Sequence, residues 1–136
     1  MTLERIFAAA ICCLAGWAVL TVAADDEAPK PLTAVEARSQ VGKEIVVETT
    51  IQTAKNRLEN RGEIYLDAEL DFRDPKNFAI VINRTGAAAF KEKGIDDPAE
   101  HFMGKTIRTK GVVTVVDEVP RIEVSEVKQI ELVEKQ

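Results

Sequence analysis

The chain has 136 residues, and its 23 acidic side chains outnumber 18 basic ones, which gives a formal net charge of −5. This length suits a single domain with one core, and the acidic balance argues against broad, non-specific affinity for phosphate backbones. Aromatic residues make up only 5% of the chain, which limits the flat surfaces on which bases could stack.

The first 24 residues have the pattern of a cleavable export signal. An apolar run over residues 6–20 is shorter than the ~20 residues a spanning helix needs. Val22 and Ala24 are small residues of the kind signal peptidase accepts, with cleavage before Asp25. We therefore expect an exported, periplasmic or secreted protein with no membrane span after cleavage; an uncleaved anchor is the alternative. Cleavage would remove both cysteines and the only tryptophan.

The segment that follows, residues 25–31, is acidic and contains proline, which predicts a flexible leader. A domain is then expected over residues 32–136. It begins with a short helix, because Thr33 is a good N-cap and Glu36 completes a capping box. Gly42 is expected to end this helix.

Five strands follow, each recognised by alternating apolar residues or by a high β-branched content. Their expected ranges are 44–55, 63–67, 77–83, 106–116 and 121–124, with a last extended segment at 128–133. The first two strands are joined by a polar turn over residues 56–62. A helix capped by Thr85 is expected over Gly86 to Lys93, and a second short helical turn runs from Asp96 to His101. Gly111, in the middle of the fourth strand, predicts a bulge or a sharp coil.

Three strands, a helix and two more strands, with the first and fourth longest, match the order of the OB-fold. The expected fold class is all-β with one or two short helices, built as a five-stranded Greek-key barrel. Long first and fourth strands suit this fold because they bend to close a small barrel.

Several segments spread over residues 32–133 resemble small exported bacterial OB-fold domains, a group placed with nucleic-acid-binding OB-folds. The segments that carry the resemblance are Val41-Gly42-Lys43, Gly62 with Ile64-Tyr65-Leu66, Phe78 to Ile82, Phe90, Gly104 to Arg108, Gly111, Pro120-Arg121-Ile122 and Gln129-Ile130. The resemblance implies an OB-fold with a nucleic acid or an oligosaccharide as its ligand. The chain departs from the pattern at Thr49, which often is glycine, and at the acidic turn over residues 117–119, which usually carries glycine and a basic residue.

A single-strand-binding face needs aromatic rings to stack on bases and basic side chains to follow phosphates. Tyr65 and Phe72 are the aromatic candidates, because Phe78 and Phe90 lie in core-like patterns. The candidate ligand-binding residues are Lys55, Arg57, Arg61, Tyr65, Arg73 and Arg121. The alternative is a solvated, charged loop between the first two strands and a tyrosine packed at the edge of the barrel.

No constellation of residues indicates catalysis, a metal site or a cofactor. The carboxylates of residues 67–74 do not match a calcium-binding EF-hand, because the positions that need glycine and glutamate are Phe72 and Phe78. His101 is the only histidine, and one histidine makes neither a zinc site nor a catalytic triad.

Two functions remain open at this point. The first is a non-catalytic exported binding module, monomeric, whose ligand is a nucleic acid or an oligosaccharide by resemblance. The second is a protein-interaction or envelope structural module that binds no nucleic acid, which the acidic charge favours.

Overall fold

The structure of the protein, a computed structural model, describes residues 30–134; the expected signal peptide and most of the expected leader lie outside them. Seven strands occur in this range: β1 Glu44–Thr50, β2 Thr53–Arg57, β3 Glu63–Asp67, β4 Ala79–Asn83, β5 Thr106–Val116, β6 Val119–Val124 and β7 Ile130–Leu132. The helices are short: α1 Ala34–Ala37, α2 Leu58–Arg61, α3 Arg84–Glu92 and α4 Pro98–Phe102, with a 3₁₀ turn at Val127–Gln129.

The strands form one curled, open sheet in the order β1-β5-β6-β4-β3-β2, with β7 paired to β5. The β4–β6 pair is parallel, whereas the other strand pairs are antiparallel. This is the strand order of the OB-fold when β1 and β2 are counted as the two halves of its long first strand. The expected fold class is confirmed, although the described part of the chain has seven strands and not five.

The predicted first strand breaks in two between Ile51 and Gln52. The Ile51 N–H donates to the carbonyl of Lys105, just before β5, and the Gln52 N–H donates to the carbonyl of Asp67 in β3, each at 2.9 Å. The N–H groups of two successive residues therefore bond to parts of the chain that lie near opposite ends of the strand order. The two halves lie at the two ends of the hydrogen-bonded path, so the chain itself links the edges of an open sheet.

The expected capping box of the first helix is confirmed. The Glu36 N–H donates to Thr33 Oγ1 at 3.1 Å, and the Thr33 N–H donates to Glu36 Oε1 at 2.9 Å. The helix ends at Ala37, earlier than expected. Gly42, with φ of 86°, instead directs the chain into β1, where its N–H donates to the carbonyl of Val113 at 2.8 Å.

Two connections differ from the sequence-based expectation. The polar turn after β2 contains α2, which ends at Gly62 in the left-handed conformation with φ of 74°. The helix α3 begins at Arg84, and its cap is Asn83 and not Thr85. Asn83 Oδ1 accepts a hydrogen bond from the Gly86 N–H at 2.8 Å.

The turn between β5 and β6 contains only Asp117 and Glu118, both with positive φ, 52° and 69°. Such a two-residue hairpin turn usually carries Asn-Gly or Asp-Gly, because other residues are strained there. Strand β6 consequently starts at Val119, two residues before the predicted Arg121. The last predicted extended segment divides into the 3₁₀ turn and β7.

The core lies inside the curled sheet and under α3 and α4. Its largest fully buried side chains include Phe78 and Phe90, as predicted, together with aliphatic residues from most of the strands. No helix within residues 30–134 is long and apolar enough to cross a membrane.

Two glycines lie where any side chain would collide with a neighbouring residue. A Cβ atom on Gly86 would lie 2.5 Å from the carbonyl oxygen of Val124, so α3 sits directly against the end of β6. A Cβ atom on Gly111 would lie 2.5 Å from Ile122 Cγ2. Of the two alternatives predicted at Gly111, the bulge is wrong, because Gly111 pairs in regular register with Ile45. A sharp coil agrees with the change of partner that β5 makes there, from β1 up to Val112 to β6 from Val113 onward.

Candidate functional site

A cleft of about 770 Å³ lies on the outer face of the sheet. Strand register places its residues there. In β3, Ile64 and Leu66 point into the core and are fully buried, so Glu63, Tyr65 and Asp67 face outward. Residues directly opposite each other on neighbouring strands share a face, and two of the outward β3 residues, Tyr65 and Glu63, are paired with basic residues of β2. This pairing lines one wall of the cleft with cations.

Five of the six candidate residues line this cleft. Lys55 stands opposite Tyr65, and Arg57 stands opposite Glu63. Arg61 comes from α2, and Arg121 comes from β6, where it is paired with Ala79 of β4. The residues concerned are Lys55, Arg57, Arg61, Tyr65 and Arg121. They lie together on one face, although whether they bind a ligand stays a prediction.

The sixth candidate, Arg73, does not line the cleft itself but lies at its margin beside Phe72. The Arg73 guanidinium carbon is 5.3 Å from the centre of the Phe72 ring, and Lys55 Nζ is 5.7 Å from the same point. Phe72 lines the cleft and remains 47% exposed. A half-exposed ring close to two cations is a surface on which a base could stack while its phosphates meet positive charge.

Arg121 is a largely buried cation of the cleft. Its side chain is only 13% exposed, and its Nη1 lies 3.6 Å from Glu63 Oε2. The guanidinium carbon lies 5.9 Å from the centre of the Tyr65 ring, within cation–π range. Arg121 Nε is buried and has no hydrogen-bond partner in the described part of the chain. The guanidinium is therefore positioned by stacking and charge more than by hydrogen bonds.

Tyr65 lies on the outer face, with its hydroxyl held inside the cleft. The hydroxyl donates to Glu63 Oε1 at 2.6 Å. Burial raises the pKa of Tyr65, and the hydrogen bond to Glu63 adds to this rise. The tyrosine thus stays neutral and fixed at physiological pH.

Asn77 connects the cleft to the loop that carries Phe72. Its fully buried amide donates to Asp67 Oδ1 at 3.1 Å and to the carbonyl of Phe72 at 3.2 Å. Its Oδ1 accepts from the Glu69 N–H at 3.0 Å, and Arg38 donates to its carbonyl oxygen. One asparagine therefore fixes both a carboxylate of the cleft and the loop beside it.

Asp67 is a buried carboxyl, and burial raises its pKa. The hydrogen bond from Asn77, and the charges of Lys55 and Arg121, oppose this rise without cancelling it. A raised pKa means that the folded protein binds this proton more tightly than the unfolded chain does. Protonation of Asp67 therefore stabilises the fold, and that stabilisation is lost as the pH rises through the folded-state pKa.

We expect Asp67→Asn to raise the free energy of unfolding at neutral pH, because the amide carries no charge and its oxygen can still accept from Asn77. Urea denaturation as a function of pH measures this. The gain should disappear below pH 3.8, the ordinary pKa of the group, where wild-type Asp67 is protonated in both states. The exposed residue Asp96 supplies a control, because Asp96→Asn should change stability by less than about 0.5 kcal/mol. A gain that persists in acid would contradict the prediction.

The sequence-based selection omitted several residues of the cleft. Phe72, the second aromatic candidate, lines it too, and the residues that the selection omitted are Asn60, Glu63, Asp67, Ala79, Val116, Asp117 and Val119. The alternation of β3 already placed Glu63 and Asp67 on the face of Tyr65, and this signal could have identified them. No signal in the sequence shows that the β5–β6 turn reaches the cleft, because that depends on how the sheet curls.

A second cavity, of about 380 Å³, adjoins the first and shares Arg57 and Asn60 with it. It runs along the end of β2 and the start of α2. The two cavities are therefore adjacent on the protein surface.

The described residues, 30–134, contain no group of three His, Cys, Asp or Glu side chains placed to hold a metal ion. His101 lies away from the cleft and packs edge-on against Phe102, with ring centres 4.8 Å apart. Burial lowers its pKa, and the charge of Lys105 adds to the effect.

No protein-family model matches the sequence, and no curated protein is significantly similar to it. Among solved structures, it is similar to a chain assigned as an aspartyl-tRNA synthetase of Leishmania major, with a TM-score of 0.52 and 10% identity over 81% of this chain and 22% of that one. It is also similar to an OBody bound to hen egg-white lysozyme, with a TM-score of 0.52 and 18% identity over 80% of this chain and 99% of that one. The chain thus spans about a fifth of the synthetase. At these identities the likeness shows the fold, an OB-fold, and nothing more.

Proposed function

We propose that this protein is an exported, non-catalytic module that binds single-stranded nucleic acid in the cleft. The observation that carries the proposal is the meeting of cations and two aromatic side chains, the half-exposed Phe72 and the partly buried Tyr65, on one face. Lys55, Arg57, Arg61 and Arg121 line the same cleft as Tyr65 and Phe72. Stacking rings and a cationic groove are what binding to a single strand requires.

The position of the cleft within the fold supports the same proposal. OB-folds bind oligonucleotides and oligosaccharides on the face of their second and third strands, between the loops that follow the first and fourth. Those elements here are β3 and β4, the α2 segment, and the β5–β6 turn. One similar structure belongs by name to an enzyme of tRNA. Fold likeness does not establish function, so the proposal depends on the side chains that line the cleft.

The local charge of the cleft differs from that of the whole chain. The protein carries a net charge of −5, whereas four cations line the cleft beside three carboxylates, Glu63, Asp67 and Asp117. Two of these carboxylates are engaged, since Glu63 binds Tyr65 and Asp67 binds Asn77. The acidic remainder of the surface would keep affinity modest and confine a polyanion to this face. The adjoining second cavity favours a strand over a mononucleotide.

The test is fluorescence anisotropy of the purified protein with labelled oligothymidylate of about 12 nucleotides, within the size range of OB-fold sites. The variant Arg57→Gln/Arg61→Gln should weaken binding and lower the slope of log affinity against log salt by about 1.4, because two phosphate contacts are lost. Lys91→Gln/Lys93→Gln removes the same charge from exposed positions on and beside α3, outside the cleft. This control should leave the slope unchanged.

The proposal fails if wild-type protein shows no binding at low salt with tens of micromolar protein. It also fails if the two double variants lower the affinity and the salt slope equally, because binding would then follow net charge and not the cleft.

A further inference from the structure

The carboxylate of Asp117 has an unusual place in a cleft proposed to hold a polyanion. It lines the cleft from the tip of the β5–β6 turn and is exposed. Glu63 and Asp67 are occupied by other side chains of the cleft. Asp117 has no side-chain hydrogen bond or ion pair with any residue in the range 30–134. It is therefore the carboxylate of the cleft that is available to a ligand.

Three of the cations and the Asp117 carboxylate reach the cleft from different parts of the sheet. Lys55, Arg57 and Arg61 come from β2 and α2, at one end of the strand order, whereas Asp117 comes from the turn of the β5–β6 hairpin, beyond β4. Arg121, the fourth cation, lies on β6 between them in this order. Tyr65, on β3, is paired directly with the β2 strand that carries the cations. A bound strand would place its phosphates along the cationic wall, since Asp117 repels them. The bases would then cross the rings and point their edges towards Asp117.

An ionised carboxylate only accepts hydrogen bonds, and its two oxygens can accept a pair of parallel donors. Exposed bases of single strands are read on their Watson–Crick edges. Guanine presents two adjacent donors there, N1–H and the N2 amino group. Cytosine presents one donor, the N4 amino group, which Asp and Glu accept. Thymine and uracil present one N–H between two carbonyl oxygens, and those oxygens would face the carboxylate.

We propose that Asp117 reads the base and makes the cleft prefer guanine over thymine or uracil. This inference rests on the proposed function and adds a base preference to it. The left-handed conformation of Asp117 and Glu118 suits the test, because asparagine tolerates positive φ and Asp117→Asn should fold normally.

The experiment measures anisotropy with three labelled oligomers of equal length. One is oligothymidylate; the second carries 7-deazaguanine at alternate positions, which keeps the Watson–Crick edge but prevents four-stranded association; the third carries inosine there and lacks the N2 amino group. Wild-type protein should bind the deazaguanine oligomer roughly tenfold more tightly than oligothymidylate, with the inosine oligomer between them. Asp117→Asn should reduce this ratio to near one, and Glu118→Gln, which removes the same charge from the adjacent residue, should leave it intact.

A wild-type ratio near one would overturn the base preference and leave the proposed function standing, provided that oligothymidylate binds. A ratio that survives in Asp117→Asn would also overturn it. So would an equal rise in affinity for all three oligomers in both variants, because Asp117 would then act through charge alone. Failure of every oligomer to bind would instead overturn the proposed function itself.

Discussion

Replacement of Arg121 by methionine is expected to abolish detectable oligonucleotide binding and to lower the free energy of unfolding by about 2 kcal/mol. Methionine matches much of the length of arginine but leaves Glu63 without its ion pair and removes a positive charge that acts on Asp67. Arg121 is 13% exposed and Glu63 is 31% exposed, so the loss should fall below the 3–5 kcal/mol seen when a fully buried pair is broken.

The loss of binding follows from the same geometry. Without Arg121, the cleft would lose one of its four cations, and the cation that lies over the Tyr65 ring would be gone. Arg121→Lys tests whether binding needs the positive charge alone or also the planar guanidinium group. A lysine keeps the charge but lacks the planar group that stacks on a ring. We expect this variant to bind more weakly than wild type and to be more stable than Arg121→Met.

Urea denaturation and anisotropy on the same preparations measure both effects. Stability is read first, so that binding is compared only among folded proteins. Wild-type affinity in a folded Arg121→Met protein would show that Arg121 does not contribute to binding.

Gly86→Ala is expected to destabilise the protein by about 3 kcal/mol, the upper end of the cost of overpacking. In an ordinary helix the change from glycine to alanine stabilises by up to about 1 kcal/mol. Here the added Cβ atom would lie 2.5 Å from the carbonyl oxygen of Val124 and 3.0 Å from Ile82 Cγ2. The backbone of β6 cannot move aside, because β6 is held between β4 and β5.

Gly111→Ala is the matched comparison. Its Cβ atom would meet Ile122 Cγ2 at the same distance of 2.5 Å, but the neighbour here is a side-chain methyl group and not a backbone carbonyl. We expect Gly111→Ala to cost less than Gly86→Ala by thermal or urea unfolding. The reverse order would show that α3 adjusts more easily than the side chain of Ile122.

Local patterns were sufficient to predict most of the fold. The alternation over residues 63–67 and the β-branched run over 106–116 predicted β3 and β5 with their observed bounds. The break after Thr50 could not be predicted, because the pattern of buried residues continues through Ile51 and only the hydrogen-bond partners change. The same holds for the cap of α3, where Asn83 and Thr85 are both good capping residues.

The candidate site could be predicted in part for similar reasons. Lys55, Arg57 and Tyr65 lie on neighbouring strands joined by a short connection, and so their proximity follows from the sequence. Asp117 lies more than 50 residues from Tyr65 along the chain and reaches the cleft only through the curl of the sheet. Proximity between residues this far apart along the chain leaves no periodic pattern in the sequence.

The break between Ile51 and Gln52 also bears on the order in which the molecule assembles. Lys55 pairs with Tyr65, ten residues away, whereas Val47 pairs with Thr109, sixty-two residues away. Because closing a long loop costs more entropy and slows folding, the β2–β3 hairpin can form before β1 finds β5. That hairpin already carries the cationic wall, but Arg121 joins it only when β6 docks beside β4. A partly folded chain would therefore display the cations on an unfinished surface, and the complete cleft would be a property of the native state alone.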